Sequence, residues 1–323
     1  MFQGSYDRVR ARLPSGVPFE VVTIDAGRTC RLGGREMDLE VVKPDVVWLS
    51  LDAAQAGVFE PLAAAARSPG VGWMQTFLAG LDDPGHIAIL ESVGRLTRSD
   101  AQAPAVAQFA VAAVLSEWTG FEGWRVNQAH RNWVRRPFRE LDGSRWLVVG
   151  FGRIGHEIAR RVRAFGAAVI AVRRAAEPDV EADEVVTPEA LSAYLPAADV
   201  VVLACPLTAQ TRYLADAGFF RAMKPRATFV NISRGALVCE ADLLAALDSG
   251  TPEVAILDVC ETEPPPPDSP LWSHAAVRLS PHNAGLGGRV MARGDDLFLE
   301  NLARLLAGEP LRNLVTSSGQ PLS

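Results

Sequence analysis

The chain has 323 residues, 48% hydrophobic and 22% charged, with a formal net charge of −6. That is the profile of a globular protein of about two domains, with a core large enough to need no disulfide or metal staples. The acidic balance argues against a nucleic-acid or anionic-membrane partner, which would favour a basic face. No apolar run approaches the roughly 18 residues that cross a bilayer, and Met1–Pro14 lacks the apolar stretch of a secretory signal, so the expected location is cytoplasmic.

Short β-branched runs alternate with Ala- and Leu-rich stretches, the pattern of an α/β protein. In the first hundred residues, strands are predicted at Phe19–Ile24, Val46–Leu51, Gly70–Thr76 and, more weakly, Ile87–Leu90, with a helix at Phe59–Ala66. A long alanine-rich segment, Ala103–Trp118, suits a buried connecting helix. The Arg-rich stretch Val126–Glu140, broken by Trp133 and Pro137, suggests an irregular surface excursion.

After the Asp142–Gly143 turn signal a second α/β unit begins. Its predicted strands are Arg145–Val149, Ala168–Val172, Val200–Leu203, Thr228–Ile232 and Val254–Leu257. Its predicted helices are Ile154–Phe165, Pro188–Tyr194, Asp216–Met223 and Glu240–Asp248. That alternation predicts a doubly wound parallel sheet. Pro264–Pro267 forces a loop, Val277–Ser280 is one more short strand, and a final helix is expected over about Val290–Leu306.

Four cysteines, Cys30, Cys205, Cys239 and Cys260, show no C-x-x-C spacing. Cys205 and Cys239 lie in apolar stretches and are expected as buried reduced thiols; no metal site is expected.

The segment from Trp146 to Gly155 places a G-x-G-x-x-G turn between a β-forming run and a helix start. Ile154, Ile158 and Val162 then repeat at helical spacing until Gly166. Gly150 serves the tight turn, Gly152 the approach of a pyrophosphate, and Gly155 close helix–strand packing. The helix start offers free N–H groups and a positive dipole end to phosphates. At the end of the next strand an acidic residue would grip the ribose of NAD. Here Arg173 and Arg174 follow Val172 instead, and no carboxylate occurs before Glu177. Two guanidiniums suit a 2′-phosphate, so NADP(H) is the expected cofactor, with NAD(H) left open.

Three downstream segments narrow the chemistry: Val230–Val238 with Ser233-Arg234-Gly235, Leu257–Pro264 with Asp258 and Glu263, and Ser280–Gly285 with His282. Together with the glycine turn they resemble the D-isomer-specific 2-hydroxyacid dehydrogenase family, over about Gly70–Val315. The flavour is that of glyoxylate/hydroxypyruvate reductases.

The resemblance implies Arg234, Glu263 and His282 as the catalytic trio. Chemistry supports the choice. Reduction of a 2-oxo acid requires a proton donor at the ketone oxygen and a cation for the carboxylate. Histidine titrates near neutrality, a neighbouring carboxylate would orient its ring, and arginine offers a fixed fork of donors. Glu261, two positions earlier, competes with Glu263, but the residue directly before the proline fits the pattern.

On the cofactor side the resemblance implies Arg153 and Ile154 beside the pyrophosphate. It implies Pro206 in the loop lining the adenosine side, Asp258 near the carboxamide, and Cys205, Thr211, Ile232, Ser233 and His282 as further cofactor-binding residues. Leu78–Asp82 resembles the family loop that binds the substrate carboxylate, making Ala79 and Gly80 substrate-binding candidates with Arg234 and His282. Further pocket residues are expected from Trp48–Leu51, Gln75–Leu78 and Gly285–Arg289. Arg289 faces either a second substrate anion or solvent. Phosphite and formate dehydrogenases fit less well, since Ala79 stands where the former carry lysine and Glu263 where the latter carry glutamine. Ala204 and Gln108 also depart from a common histidine and glutamate.

The expected fold is therefore two Rossmann-like α/β domains with the site in the cleft between them. The substrate domain would comprise 1–101 and 288–323, and the dinucleotide domain 102–287. The implied reaction transfers hydride between NADP(H) and a small 2-oxo or D-2-hydroxy acid, in a homodimer. Two alternatives stand beside it: a 3-phosphoglycerate dehydrogenase, and a non-catalytic NAD(H)-sensing protein like the corepressors that resemble the family.

Overall fold

The computed structural model describes residues 1–14, 16, 19–80 and 93–315. The predicted strand Ile87–Leu90 and residues Leu81 and Asp82 lie outside them. The chain divides into two compact units, Met1–Gln102 with Gly288–Ser323, and Ala103–Gly287.

The second unit is built on a seven-stranded, wholly parallel sheet. Its strands, in chain order after six among the described residues of the first unit, are β7 (Arg145–Val149), β8 (Ala168–Val172), β9 (Glu184–Val186), β10 (Val200–Leu203), β11 (Thr228–Asn231), β12 (Val254–Leu257) and β13 (Val277–Leu279). Their spatial order is β13-β12-β11-β10-β7-β8-β9. The chain winds outward from β7 in one direction and then restarts at β10 in the other, so the switch point lies between β7 and β10.

Both faces of this sheet are covered, which is why its strands read as unbroken apolar runs. Leu147, Val149, Val201, Leu203 and Phe229 point into one core. Their neighbours Trp146, Val148, Val200, Val202 and Val230 point into the other, with Ile158, Ala159 and Val162 of the helix Arg153–Arg163. The helix Ala103–Thr119 contributes Ala107, Ala110, Val111 and Val114 to that second core.

In the first unit β4 (Val46–Leu49), β5 (Trp73–Thr76) and β6 (Leu96–Thr97) form a parallel sheet. A separate antiparallel sheet joins β1 (Val22–Ile24), β2 (Cys30–Leu32) and β3 (Arg35–Met37). The helix Val290–Ala307 belongs to this unit, stacking Phe298 flat on Trp48 with ring centroids 4.0 Å apart. A polar cluster joins three helices. Arg8 grips Asp295 with two nitrogens, at 2.7 and 2.9 Å, and Asp52 with a third at 2.6 Å. Ser5 closes the cluster onto Asp52 at 2.8 Å and Ser50 at 2.7 Å.

Several elements differ from expectation. The β2–β3 hairpin turns on Gly33 and Gly34, both at positive φ, a Gly-Gly signal of the favoured two-residue hairpin that the sequence does contain. The helix Gln3–Val9 and the short strands β6 and β9 are also additional. The stretch expected to be irregular from Val126 is helical over Phe121–Ala129 and irregular only afterwards. That helix buries none of its residues, its large apolar side chains Phe121, Trp124 and Val126 being exposed, and Gly123 further masks it. Cys239 is half-buried rather than buried, since it stands just before the helix Glu240–Asp248; Cys30, Cys205 and Cys260 are buried. No helix among the described residues is long and apolar enough to cross a membrane.

Candidate active site

The carboxyl ends of β7, β8 and β10–β13 carry nearly all the residues singled out in the second unit. At the switch point, Gly150 adopts φ +96°, and its N–H reaches the Val172 carbonyl at 2.9 Å. A Cβ on Gly150 would stand 2.4 Å from the Cys205 backbone, and one on Gly155 would stand 2.9 Å from the Gly150 carbonyl. Both glycines are therefore demanded by the protein's own packing. Gly152 differs: a Cβ there meets nothing within 4 Å. Gly152 is the residue directly before the helix Arg153–Arg163, so the space beside the helix start is left open there.

Around that turn, Arg153 is exposed and Ile154 half-buried. Cys205 is buried, which pushes its thiol up to about 11. Pro206 is exposed, and Thr211 closes the loop behind it, its hydroxyl donating to the Pro206 carbonyl at 2.8 Å while accepting the Thr208 N–H at 2.8 Å.

At the end of β8 stands Arg173, one residue past the carbonyl that holds Gly150. Its guanidinium reaches the Ala175 carbonyl at 3.0 Å, the Glu177 carbonyl at 2.6 Å and the Asp179 carboxylate at 3.3 Å. Arg174 beside it is exposed. The sequence offers no carboxylate before Glu177, yet the fold returns Asp179 to this corner. The signal was present, but at a loop length that no strand-end rule covers.

At the other end of the edge, the loops after β11, β12 and β13 interlock. Gly235 packs so tightly on the next loop that a Cβ would lie 1.9 Å from the Cys260 carbonyl carbon. Arg234, directly before it, is half-buried, and its backbone carbonyl accepts from the buried Asn231 amide at 2.9 Å. Asn231 also receives the Ser233 N–H at 3.2 Å, while the Ser233 hydroxyl donates to the Cys205 carbonyl at 2.5 Å. Ile232 is buried.

Glu263 bridges. One oxygen accepts the Cys260 N–H at 3.1 Å and the other lies 2.8 Å from Nδ1 of His282. Competing Glu261 is engaged elsewhere, accepting the Glu240 N–H at 2.9 Å and lying 3.3 Å from the Tyr213 hydroxyl. Burial, with the nearby carboxylates of Glu240, Glu263 and Asp258, pushes the Cys260 thiol up to about 12.

Asp258 is 2% exposed and holds the His282 loop. Its carboxylate accepts the Ser280 hydroxyl at 2.6 Å, the Asn283 N–H at 2.8 Å and the Ala284 N–H at 3.0 Å, and its carbonyl accepts the His282 N–H at 2.9 Å. His282 itself sits at φ +53° with its side chain half exposed.

In the first unit, Ala79 is exposed and Gly80 half-buried. The loop is tied down by Leu78 N–H to the Thr76 hydroxyl at 3.2 Å and by Arg98 to the Ala79 carbonyl at 3.1 Å. Trp48 and Gln75, expected to line a pocket, do line a small cavity of the first unit with Ser50, Leu51, Thr76 and Phe77, and both also pack into the unit's interior. Trp48 stacks on Phe298, and Gln75 accepts from Thr97 at 3.0 Å and Asn301 at 2.9 Å. Arg289 is exposed. Among the described residues no group of three His, Cys, Asp or Glu is placed to hold a metal ion.

A parallel sheet with a glycine-lined turn at its switch point defines a dinucleotide-binding protein, and the histidine–carboxylate pair on the same edge points to an oxidoreductase. Residues 111–284 match the family model for the D-isomer specific 2-hydroxyacid dehydrogenase, NAD binding domain. A glyoxylate/hydroxypyruvate reductase A from Salmonella newport is 31% identical over 64% of this chain and 66% of its own. A D-isomer specific 2-hydroxyacid dehydrogenase from Xanthobacter autotrophicus Py2, solved with NADPH and MES, is 27% identical, with a TM-score of 0.76 over 98% of this chain and 96% of its own. A family protein from Aeromonas salmonicida is 30% identical, with a TM-score of 0.73 over 86% and 87%. The chain belongs to the D-isomer-specific 2-hydroxyacid dehydrogenases, a family of nicotinamide-dependent oxidoreductases.

Proposed function

We propose that the protein reduces a small 2-oxo acid of the glyoxylate or hydroxypyruvate type, with NADP(H) as the preferred cofactor. The 2.8 Å contact between His282 and Glu263 carries this proposal. With Glu263 accepting from Nδ1–H, the ring is oriented and Nε2 is the nitrogen left to exchange a proton. Arg234 holds the substrate carboxylate and polarises its ketone, and His282 delivers the proton to the ketone oxygen. The bound reduced nicotinamide supplies the hydride. Ala79 and Gly80 are the first unit's substrate-binding residues, the unit Ala103–Gly287 is the dinucleotide domain, and the other unit is the substrate domain. Arg173 and Arg174 select the 2′-phosphate. Gly150, Gly152, Arg153, Ile154 and Gly155 serve the pyrophosphate, and Cys205, Pro206 and Thr211 the adenosine side. Ile232, Ser233 and Asp258 serve the nicotinamide end, in Asp258's case by fixing the loop that carries His282.

The name of the Salmonella relative and the NADPH of the Xanthobacter structure support substrate class and cofactor. Steady-state turnover of glyoxylate, hydroxypyruvate and 3-phosphohydroxypyruvate with NADPH and NADH tests the proposal. The fastest turnover should be with one of the first two and NADPH. Turnover confined to the phosphorylated acid would replace it with the phosphoglycerate reading, and no turnover of any 2-oxo acid would sink it.

A homodimer is part of the same proposal. Phe121, Trp124, Trp133, Val134 and Phe138 are all exposed within one short segment, Trp133 at 95%, and such a concentration of apolar surface favours burial against a partner. Sedimentation at micromolar concentration should give twice the chain mass; a monomer would contradict it.

A further inference from the structure

Arg173 is surrounded by a network that ties it back to the phosphate turn. Asp179 lies 3.3 Å from the Arg173 guanidinium and 2.8 Å from Nε2 of His156, through the same carboxylate oxygen. Its other oxygen accepts the Glu181 N–H at 3.0 Å. His156 sits in the first turn of the helix that opens at the glycine loop, and its Nδ1 lies 2.8 Å from the Gly152 carbonyl. A chain of polar contacts therefore runs from Gly152 through His156 and Asp179 to Arg173.

The chemistry of that chain is specific. The Gly152 carbonyl can only accept, and an ionised carboxylate can only accept. Partial burial opposes ionisation of Asp179, but the Glu181 N–H, His156 and Arg173 outweigh it and hold the carboxyl below the usual carboxylate range. His156 thus links two acceptors, the Gly152 carbonyl and the Asp179 carboxylate. The Asp179 side chain is 11% exposed, so its charge is screened less than that of a freely hydrated carboxylate.

We propose that Asp179, anchored by His156, is a specificity-determining residue for the adenosine half of the cofactor. Its carboxylate competes with a 2′-phosphate for Arg173 and supplies, from a loop position, the negative charge that the end of β8 lacks. The proposal rests on assigning that strand end to the adenosine ribose. A phosphorylated ribose must displace Asp179 from Arg173 and tolerate its charge, whereas a free 2′-hydroxyl meets an acceptor. The corner thus moderates the preference for a phosphorylated nucleotide that Arg173 creates. His156 sets how far Asp179 can move onto Arg173.

The test is calorimetric and needs no turnover: Kd for 2′,5′-ADP and for 5′-ADP, their ratio giving the preference for the 2′-phosphate. Asp179→Asn should raise that preference about tenfold, the effect of removing one nearby negative charge from a partly buried anion site. Asp179→Glu, which keeps the charge, should stay within about twofold of the parent, and His156→Gln should lower the preference about threefold by freeing Asp179 to close on Arg173. An unchanged or lowered preference in Asp179→Asn, including equal weakening of both ligands, overturns the proposal. An unchanged preference in His156→Gln overturns the anchoring role. Failure of the underlying NADP(H) assignment looks different: the parent protein would favour 5′-ADP and Arg173→Ala would leave the ratio unmoved, whatever Asp179→Asn does.

Discussion

At the β7–β8 end of the sheet, Arg173 is held by groups two, four and six residues away, and the glycine turn is a single contiguous segment. At the β11–β13 end, the bonds that hold the His282 loop reach across 19 to 26 residues. The first end leans more on short-range contacts, although Gly150 is also tied to Val172 and packed on Cys205. The second exists only because parallel strands lay three loops side by side. The glycines divide differently: a Cβ on Gly152 would meet nothing within 4 Å, whereas Gly150, Gly155 and Gly235 are closed in by the protein's own backbone.

The largest effect expected from breaking this contrast is at the assembled end. His282→Ala should lower kcat by about 10²- to 10⁴-fold, the usual worth of a positioned acid–base group, with dinucleotide Kd, read by fluorescence titration, within about twofold. Unimpaired turnover would refute the role. Glu263→Gln should lose less, since an amide oxygen can still orient the ring.

Next come the glycines. Gly235→Ala drives a methyl into the Cys260 backbone and should destabilise by about 3 kcal/mol or more in urea unfolding, because backbone rather than a flexible side chain must yield. Gly152→Ala should change stability by no more than about 0.5 kcal/mol while weakening dinucleotide binding. Equal destabilisation by both would erase the distinction drawn between the two turns.

A smaller change is expected from Arg173→Ala. Loss of one charge-assisted partner of a phosphate should cut kcat/KM for NADPH about tenfold and leave that for NADH within about threefold. Equal losses for both cofactors would mean that Arg173 only shapes its loop.

The smallest effect lies in the first unit, far in chemistry from either turn. Although burial opposes its ionisation, the Arg8, Ser50 and Ser5 bonds hold the Asp52 carboxyl below the usual carboxylate range. A carboxylate depressed in the folded state stabilises above its unfolded pKa, and that contribution is lost as pH falls through the folded value. Tm should therefore drop more steeply below about pH 4 in the parent than in Asp52→Asn. Parallel acid limbs would show that the cluster contributes nothing through Asp52.

Much of this was legible in the sequence, for identifiable reasons. The strands Arg145–Val149, Ala168–Val172, Val200–Leu203 and Val254–Leu257 have the predicted bounds, because a sheet buried on both faces demands continuous apolar runs. The G-x-G-x-x-G turn was legible because its chemistry is local. Strand β6 has two residues, and β9 has three with only one buried, so neither has a pattern to detect. The Phe121–Ala129 helix hides for the opposite reason, since it buries nothing.

By itself the sequence determined the parallel α/β unit, the phosphate turn and the candidate identities of Arg234, Glu263 and His282. Only the tertiary structure decided that Glu263 rather than Glu261 meets His282, that Asp258 is consumed in holding the His282 loop, and that Asp179 returns to Arg173. Residue type and local period encode backbone conformation and burial. Which of two carboxylates meets an imidazole depends on the register of neighbouring strands and on where each loop packs, and no single segment contains that information.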